Sequence, residues 1–152
     1  MIWVIPGFGK VKIQKPRSQH VTAFAIIVDE MTLEKTGGAV EAYRDALEAD
    51  GLSTYIVSGN WKNPDEVKAE IIKLNKRKPV LEGVVFIGDI PVALIRNAQH
   101  MTTAFKMNED EFPFPESSVP SDRFYDDLHL TFDFICQDSV NTSHFYYKLR
   151  ED

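Results

Sequence analysis

The chain has 152 residues, 43% of them hydrophobic, and a formal net charge of −6. That length fits one domain with a sizeable core, and the acidic balance argues against a nucleic-acid partner, which needs a basic stripe to neutralise phosphates. A single cysteine, Cys136, rules out an internal disulfide, and the sequence holds no run of about 18 apolar residues that would span a bilayer.

Met1 to Pro6 is too short and uncharged a start for a signal peptide. Within residues 1–20, Ile2, Val4, Val11 and Ile13 alternate as in an edge hairpin, with Pro6-Gly7 or Phe8-Gly9 as the turn. Pro16 to His20 reads as a connection. Val21 to Val28 is a strand whose apolar run (Ala23 to Val28) suits burial on both faces. It ends in Asp29-Glu30. Thr32 is the expected helix cap, and the helical period is clear from Ala39. There Val40, Tyr43 and Leu47 face the core, with Glu41, Arg44, Asp45 and Glu48 on the other side. Gly51 is a left-handed terminator.

Ser53 to Val57 is a second strand, closed by Ser58-Gly59-Asn60. Asn63, Pro64 and Glu66 then mark a helix start as cap, first position and capping-box acid. Val67, Ile71 and Leu74 form its buried stripe. Lys73, Lys76, Arg77 and Lys78 gather near the end, where the dipole favours cations, and Pro79 forbids continuation. Glu82 to Ile87 is a third apolar strand, stopped by Gly88-Asp89-Ile90-Pro91. Residues 21–88 therefore read strand, helix, strand, helix, strand, with right-handed crossovers. With the first strand between the other two, Asp29 and Asp89 meet where open α/β sheets place their ligands.

Beyond Asp89 the alternation stops. Val92 to Ile95 reads as a short strand, Asn97 to Met107 as a short helix or coil, and Asn108 to Ser121 as a long loop. Leu128 to Ile135 alternates as a half-exposed strand, Phe145 to Leu149 is another, and a hairpin through Asp138 to Ser143 joins them. The expected fold is α/β: a three-layer βαβαβ parallel-sheet core, Rossmann-like or caspase-like, with a β-rich C-terminal extension. It forms one domain or subdomain over 1–152. An N-terminal arm covers 1–20, the α/β core 21–98, a long loop region 99–128 and a β-rich tail 129–152.

Three constellations carry chemistry. Asp29, Glu30 and Asp89 at neighbouring strand ends would hold Mg²⁺ or Ca²⁺, as in a receiver-like module; the structural alternative is that they bond backbone N–H groups of the next turn. Cys136 would need an imidazole to become a nucleophile. His129 lies seven residues before it and His144 eight after, but its apolar run (Phe132, Phe134, Ile135) points to a structural cysteine. With four histidines and no close Cys/His pairing, zinc ligation has no spacing signal. In Pro120 to Leu128, Asp122, Asp126 and Asp127 with Phe124 and Tyr125 would line a ligand or cation site. Alternatively, Asp122 bonds the backbone ahead while an aromatic anchors the segment. Glu109, Asp110 and Glu111 add to this acidic half as a cation surface or a solvated face.

Two segments taken together resemble the gingipain-like family of cysteine peptidases, which have a caspase-like fold. They are GVVFIGDIP at 83–91 and VPSDRFYDDL at 119–128. The matching residues are Gly88, Asp89, Pro120, Ser121, Asp122, Tyr125, Asp127 and Leu128, and AFAIIVDE and ALEADGLSTYIV fit the upstream units. The likeness covers about residues 21–135. The family's catalytic histidine, normally followed by glycine, and its cysteine lie further downstream. Here no histidine precedes glycine: His129 precedes leucine and His144 phenylalanine, and Cys136 comes too early. The resemblance therefore implies a first, non-catalytic half, with no catalytic residue carried over. It would support a Cys–His catalytic half of the same protein, act in concert on a polypeptide substrate, and sit outside the cell or at its envelope. Asp29, Asp89, Asp122, Asp126 and Asp127 remain candidates for a structural Ca²⁺ or Mg²⁺. Two other classes stay open: a receiver- or flavodoxin-like cation-binding module, and a catalytically dead interaction domain.

Overall fold

A computed structural model of the chain describes residues 10–96 and 111–150. The expected strand at Ile2 and Val4 with its turn, the helix or coil at 97–107, and Asn108 to Asp110 lie outside the described residues. The chain is mixed α/β and forms two compact units. The first comprises 1–61 and 73–90, the second 62–72 and 91–152.

The first unit holds β1 (Lys12–Gln14), β2 (Thr22–Asp29), α1 (Glu30–Ala49), β3 (Leu52–Gly59) and β4 (Val80–Ile87). Its sheet runs β1-β3-β2-β4, with β2 parallel to both β3 and β4 and β1 antiparallel to β3. β2 is thus central, the order that brings the ends of β2 and β4 side by side. Its residues alternate between faces. Ile26 and Val28 pack with Ile56 and Val40, backed by Leu33, Leu47, Val85 and Ile87. Ala25, Ile27 and Val57, on the other face, are also buried. Each fully buried valine or isoleucine here contributes about 1.5–3 kcal/mol of burial. Phe24 lies over Gly83, where a Cβ would fall 2.9 Å from its ring, so a side chain there would have to displace that ring. Among the described residues β4 is an edge strand and only half-buried from Gly83 to Ile87, not covered on both faces as its apolar run implied.

Two expectations for α1 fail. It begins at Glu30, with Asp29 and not Thr32 as cap. The helix runs through Gly37 and Gly38 without interruption. Its inner stripe also differs. Tyr43 is 41% exposed, whereas Arg44 and Glu48 are buried. The reason is the 15–20 connection. Glu48 accepts the N–H groups of Arg17 (2.9 Å) and Ser18 (3.1 Å) and the Ser18 hydroxyl (2.9 Å). Arg44 donates to Gln14 of β1 at 3.1 Å. A polar helix face is buried because the arm brings its own hydrogen-bonding groups to it. Gly51, at φ +96°, ends the helix as expected.

The second unit holds β5 (Val92–Arg96), β6 (Ser118–Pro120), α3 (Arg123–Asp126), β7 (Phe132–Gln137) and β8 (His144–Leu149). Its sheet runs β6-β5-β8-β7; β5 and β8 are parallel and the other pairs antiparallel. β6 lies inside the stretch read as a loop, because its backbone finds partners on β5. β7 starts later than the alternation implied. Its pairing shifts between Phe134 and Cys136, and Phe134 is 56% exposed. Such a bulge turns side chains off the alternation. The division between the units falls within α2 (Pro64–Asn75). Its capping box forms: Glu66 N–H donates to Asn63 at 2.9 Å, and the Glu66 carboxylate receives the N–H of Lys62 at 3.0 Å. Among the described residues no helix is long and apolar enough to cross a membrane.

Replacing Glu48 by alanine strands donors that water reaches poorly, so a loss of about 2–3 kcal/mol is expected in denaturant titrations. Burial pushes the Glu48 carboxyl up, but the hydrogen bonds from Ser18, Arg17 and Thr54 outweigh this and leave it below the usual range. Its contribution is therefore full above the ordinary glutamate value and fades as pH falls through the lower folded value. Stability against pH should show this acid limb in the native chain and a shallower one in Glu48→Ala.

Candidate functional site

The carboxyl ends of β2 and β4 bring Asp29 and Asp89 together. Asp29 Oδ1 accepts the Thr32 N–H at 2.9 Å, capping α1, and Oδ2 accepts the Asp89 N–H at 2.8 Å. One carboxylate thus closes a helix start and the turn after a neighbouring strand. Burial raises the Asp29 pKa, but the hydrogen bonds from Thr32 and from the Asp89 backbone overcome it and hold the group below its ordinary value. Gly88 makes the approach feasible. Its φ is +88°, and a Cβ there would fall 2.0 Å from Asp29 Oδ2 and 2.4 Å from Thr32 Oγ1. Glu30 lies apart from this clamp in role, paired with Lys12 at 3.4 Å. The Asp89 side chain is exposed. Chemically, Asp29 acts on backbone donors, with both oxygens engaged, as the structural alternative had it.

Asp122, Asp126 and Asp127 belong to the second unit. Asp122 makes no side-chain cap bond, against the expectation of a turn held by its carboxylate. Its carbonyl instead accepts the N–H groups of Tyr125 (2.8 Å) and Asp126 (3.0 Å). Asp127 pairs with Arg123 at 3.6 Å and accepts the His129 N–H at 3.2 Å. Among the described residues, no group of three or more His, Cys, Asp or Glu side chains is arranged to hold a metal ion.

The anchors of this segment are aromatic. Phe124 and Tyr125 are buried. Phe124 stacks with Phe132 and Tyr147 at centroid distances of 5.1 and 4.6 Å. Tyr125 Oη donates to the Pro91 carbonyl at 2.7 Å, and Ser121 N–H to the Ala93 carbonyl at 3.2 Å. Burial, then the nearby carboxylates Asp65 and Asp122, pushes the Tyr125 phenol far above its usual range, so it stays a donor. Tyr147 Oη donates to Asp65 at 2.6 Å.

Lys68, which the sequence reading passed over, sits 4.9 Å from the centroids of both Phe124 and Phe132 and donates to the Leu130 carbonyl at 3.3 Å. Desolvation lowers its pKa, opposed by the charges of Asp65, Asp127 and Asp126. Its helical position gave no hint of this, because a lysine on an exposed helix face reads as solvated.

Cys136 is half-buried at the β7 bulge, opposite Tyr146. Two of the described imidazoles have other partners: His144 Nε2 lies 3.0 Å from Asn141 Nδ2, and His20 Nε2 lies 3.1 Å from Ser18 Oγ. No family model, curated protein or solved structure matches the chain.

Gly88→Ala is expected to cost about 1–3 kcal/mol or more, since the backbone conformation is strained for alanine and the Asp29 contact must break. Asp29→Ala should cost about 1–2 kcal/mol through the lost cap, while Asp89→Ala stays within about 0.5 kcal/mol, being exposed. Equal losses for both aspartates in thermal melts would contradict the clamp. Tyr125→Phe should lose about 1 kcal/mol, the worth of one buried hydrogen bond.

Proposed function

We propose that this chain is the N-terminal, non-catalytic part of a gingipain-like cysteine peptidase domain, with a three-layer caspase-like core, and that it scaffolds a Cys–His catalytic half supplied by further polypeptide. The observation that carries this reading is the bond from Tyr125 to Pro91. The two segments of the resemblance, GDIP and PSDRFYDDL, are about thirty residues apart in sequence. In the second unit Pro91 at the end of one accepts a hydrogen bond from the tyrosine of the other. The central position of β2 and the Gly88-Asp89 turn at the carboxyl end of β4 also suit the reading. The function is then support. The strand-end turn in the first unit and the 119–128 segment in the second each offer contacts to the catalytic half, and a polypeptide substrate is cleaved by residues outside this chain. Asp29 is better suited to a clamp than to a cation site, because both its oxygens already accept backbone N–H groups.

The residues encoded after Asp152 in the native reading frame provide the first check. A strand ending in His-Gly, followed after another strand by a cysteine, is expected. That longer polypeptide should hydrolyse a peptide substrate and lose activity when the downstream cysteine becomes alanine; residues 1–152 alone should be inert. A frame that stops at Asp152 would defeat the proposal in favour of an interaction domain. Mg²⁺ with a phosphate analogue should leave the melting temperature unchanged. A rise of several degrees would instead reveal a receiver-like module, because a ligand that binds only the folded state stabilises it.

A further inference from the structure

The turn between β7 and β8 contains Asn141-Thr142-Ser143, the one Asn-x-Ser/Thr triplet in the sequence. Such a triplet is the acceptor signal for N-linked glycosylation when it lies on an accessible surface turn. Asn141 and Thr142 are exposed here. The backbone of the turn is held by groups other than the Asn141 carboxamide. Asp138 Oδ1 accepts the N–H groups of Val140 (2.8 Å) and Asn141 (2.9 Å), and the Asn141 carbonyl accepts the His144 N–H at 2.9 Å. Asp138 Oδ2 also accepts the Tyr146 hydroxyl at 3.0 Å, fastening the turn to β8.

The side chain is arranged as the modification needs. The Ser143 hydroxyl, two residues on, donates to Asn141 Oδ1 at 2.9 Å. Nδ2 lies 3.0 Å from His144 Nε2. A carboxamide nitrogen carries two hydrogens. Replacing one of them breaks neither the Ser143 contact to Oδ1 nor the backbone bonds that hold the turn.

We propose that Asn141 is an acceptor for an N-linked oligosaccharide and that Ser143 positions its carboxamide. This does not depend on the peptidase reading. The donor is a polyisoprenyl-pyrophosphate-linked oligosaccharide. The bond from the anomeric carbon to the pyrophosphate oxygen breaks, and its electron pair leaves with the pyrophosphate. A bond from Nδ2 to that carbon forms, and the displaced Nδ2 proton passes to a base of the transferase. Nothing is oxidised or reduced.

The test incubates the folded chain with a purified oligosaccharyltransferase, already verified on a standard acceptor peptide, and its lipid-linked donor. Digestion and mass mapping follow. One glycan is expected on the peptide bearing Asn141. It should be absent from Asn141→Gln, lost from Ser143→Ala and retained in Ser143→Thr, with all three variants melting as the parent does. A folded chain that remains unmodified overturns the proposal. Full occupancy in Ser143→Ala would refute the positioning role.

Discussion

Asp29 is the constraint on which the first unit depends. A parallel sheet places successive strand ends side by side but leaves the turns that follow them to find their own hydrogen bonds. One carboxylate meets two of those needs, at the start of α1 and at the turn after β4. This requires the chain to approach closely, and only a residue without a Cβ at position 88 permits it. The aspartate and the glycine, 59 residues apart in sequence, are two halves of one contact.

The second unit solves the same problem differently. Its sheet is smaller and more exposed, and its 119–128 segment is fixed by rings. Phe124 lies among Tyr125, Phe132 and Tyr147, and Lys68 lies over two of those rings. Aromatic packing is strong per residue and directional, so few residues suffice to hold a segment otherwise rich in acids. The phenolic hydroxyls of Tyr125 and Tyr147 reach polar partners, Pro91 and Asp65, so their burial leaves no donor stranded. Carboxylates in this region serve the chain's own groups: Asp65 a phenol, Asp127 an arginine and an N–H, Asp138 a turn. A count of acids in the sequence does not distinguish such uses from a cation site.

Much of the first unit was legible. Apolar runs at 23–28 and 84–87 announced its strands, and in the second unit Asn63-Pro64 with Glu66 announced the start of α2, because these signals are local. The inner face of α1 was misread for a physical reason. Amphipathic patterning assumes that apolar residues face inward, yet Arg44 and Glu48 are buried by a segment some thirty residues away that brings hydrogen-bonding groups with it. The start of α1 was misplaced because Thr32 and Asp29 are both suitable caps in isolation, and the choice fell to the residue that also meets Asp89.

The sequence alone determined the strand and helix succession of residues 21–88, the termination of α1 at Gly51 and the presence of the β7–β8 hairpin. All of these follow from periodicity, backbone preference and capping chemistry within a few residues. Tertiary structure decided what the carboxylates do, which tyrosine holds which carbonyl, and that β5 pairs with β8, a strand some fifty residues further on. Those outcomes depend on which distant groups arrive at hydrogen-bonding distance, and local preference carries no record of that.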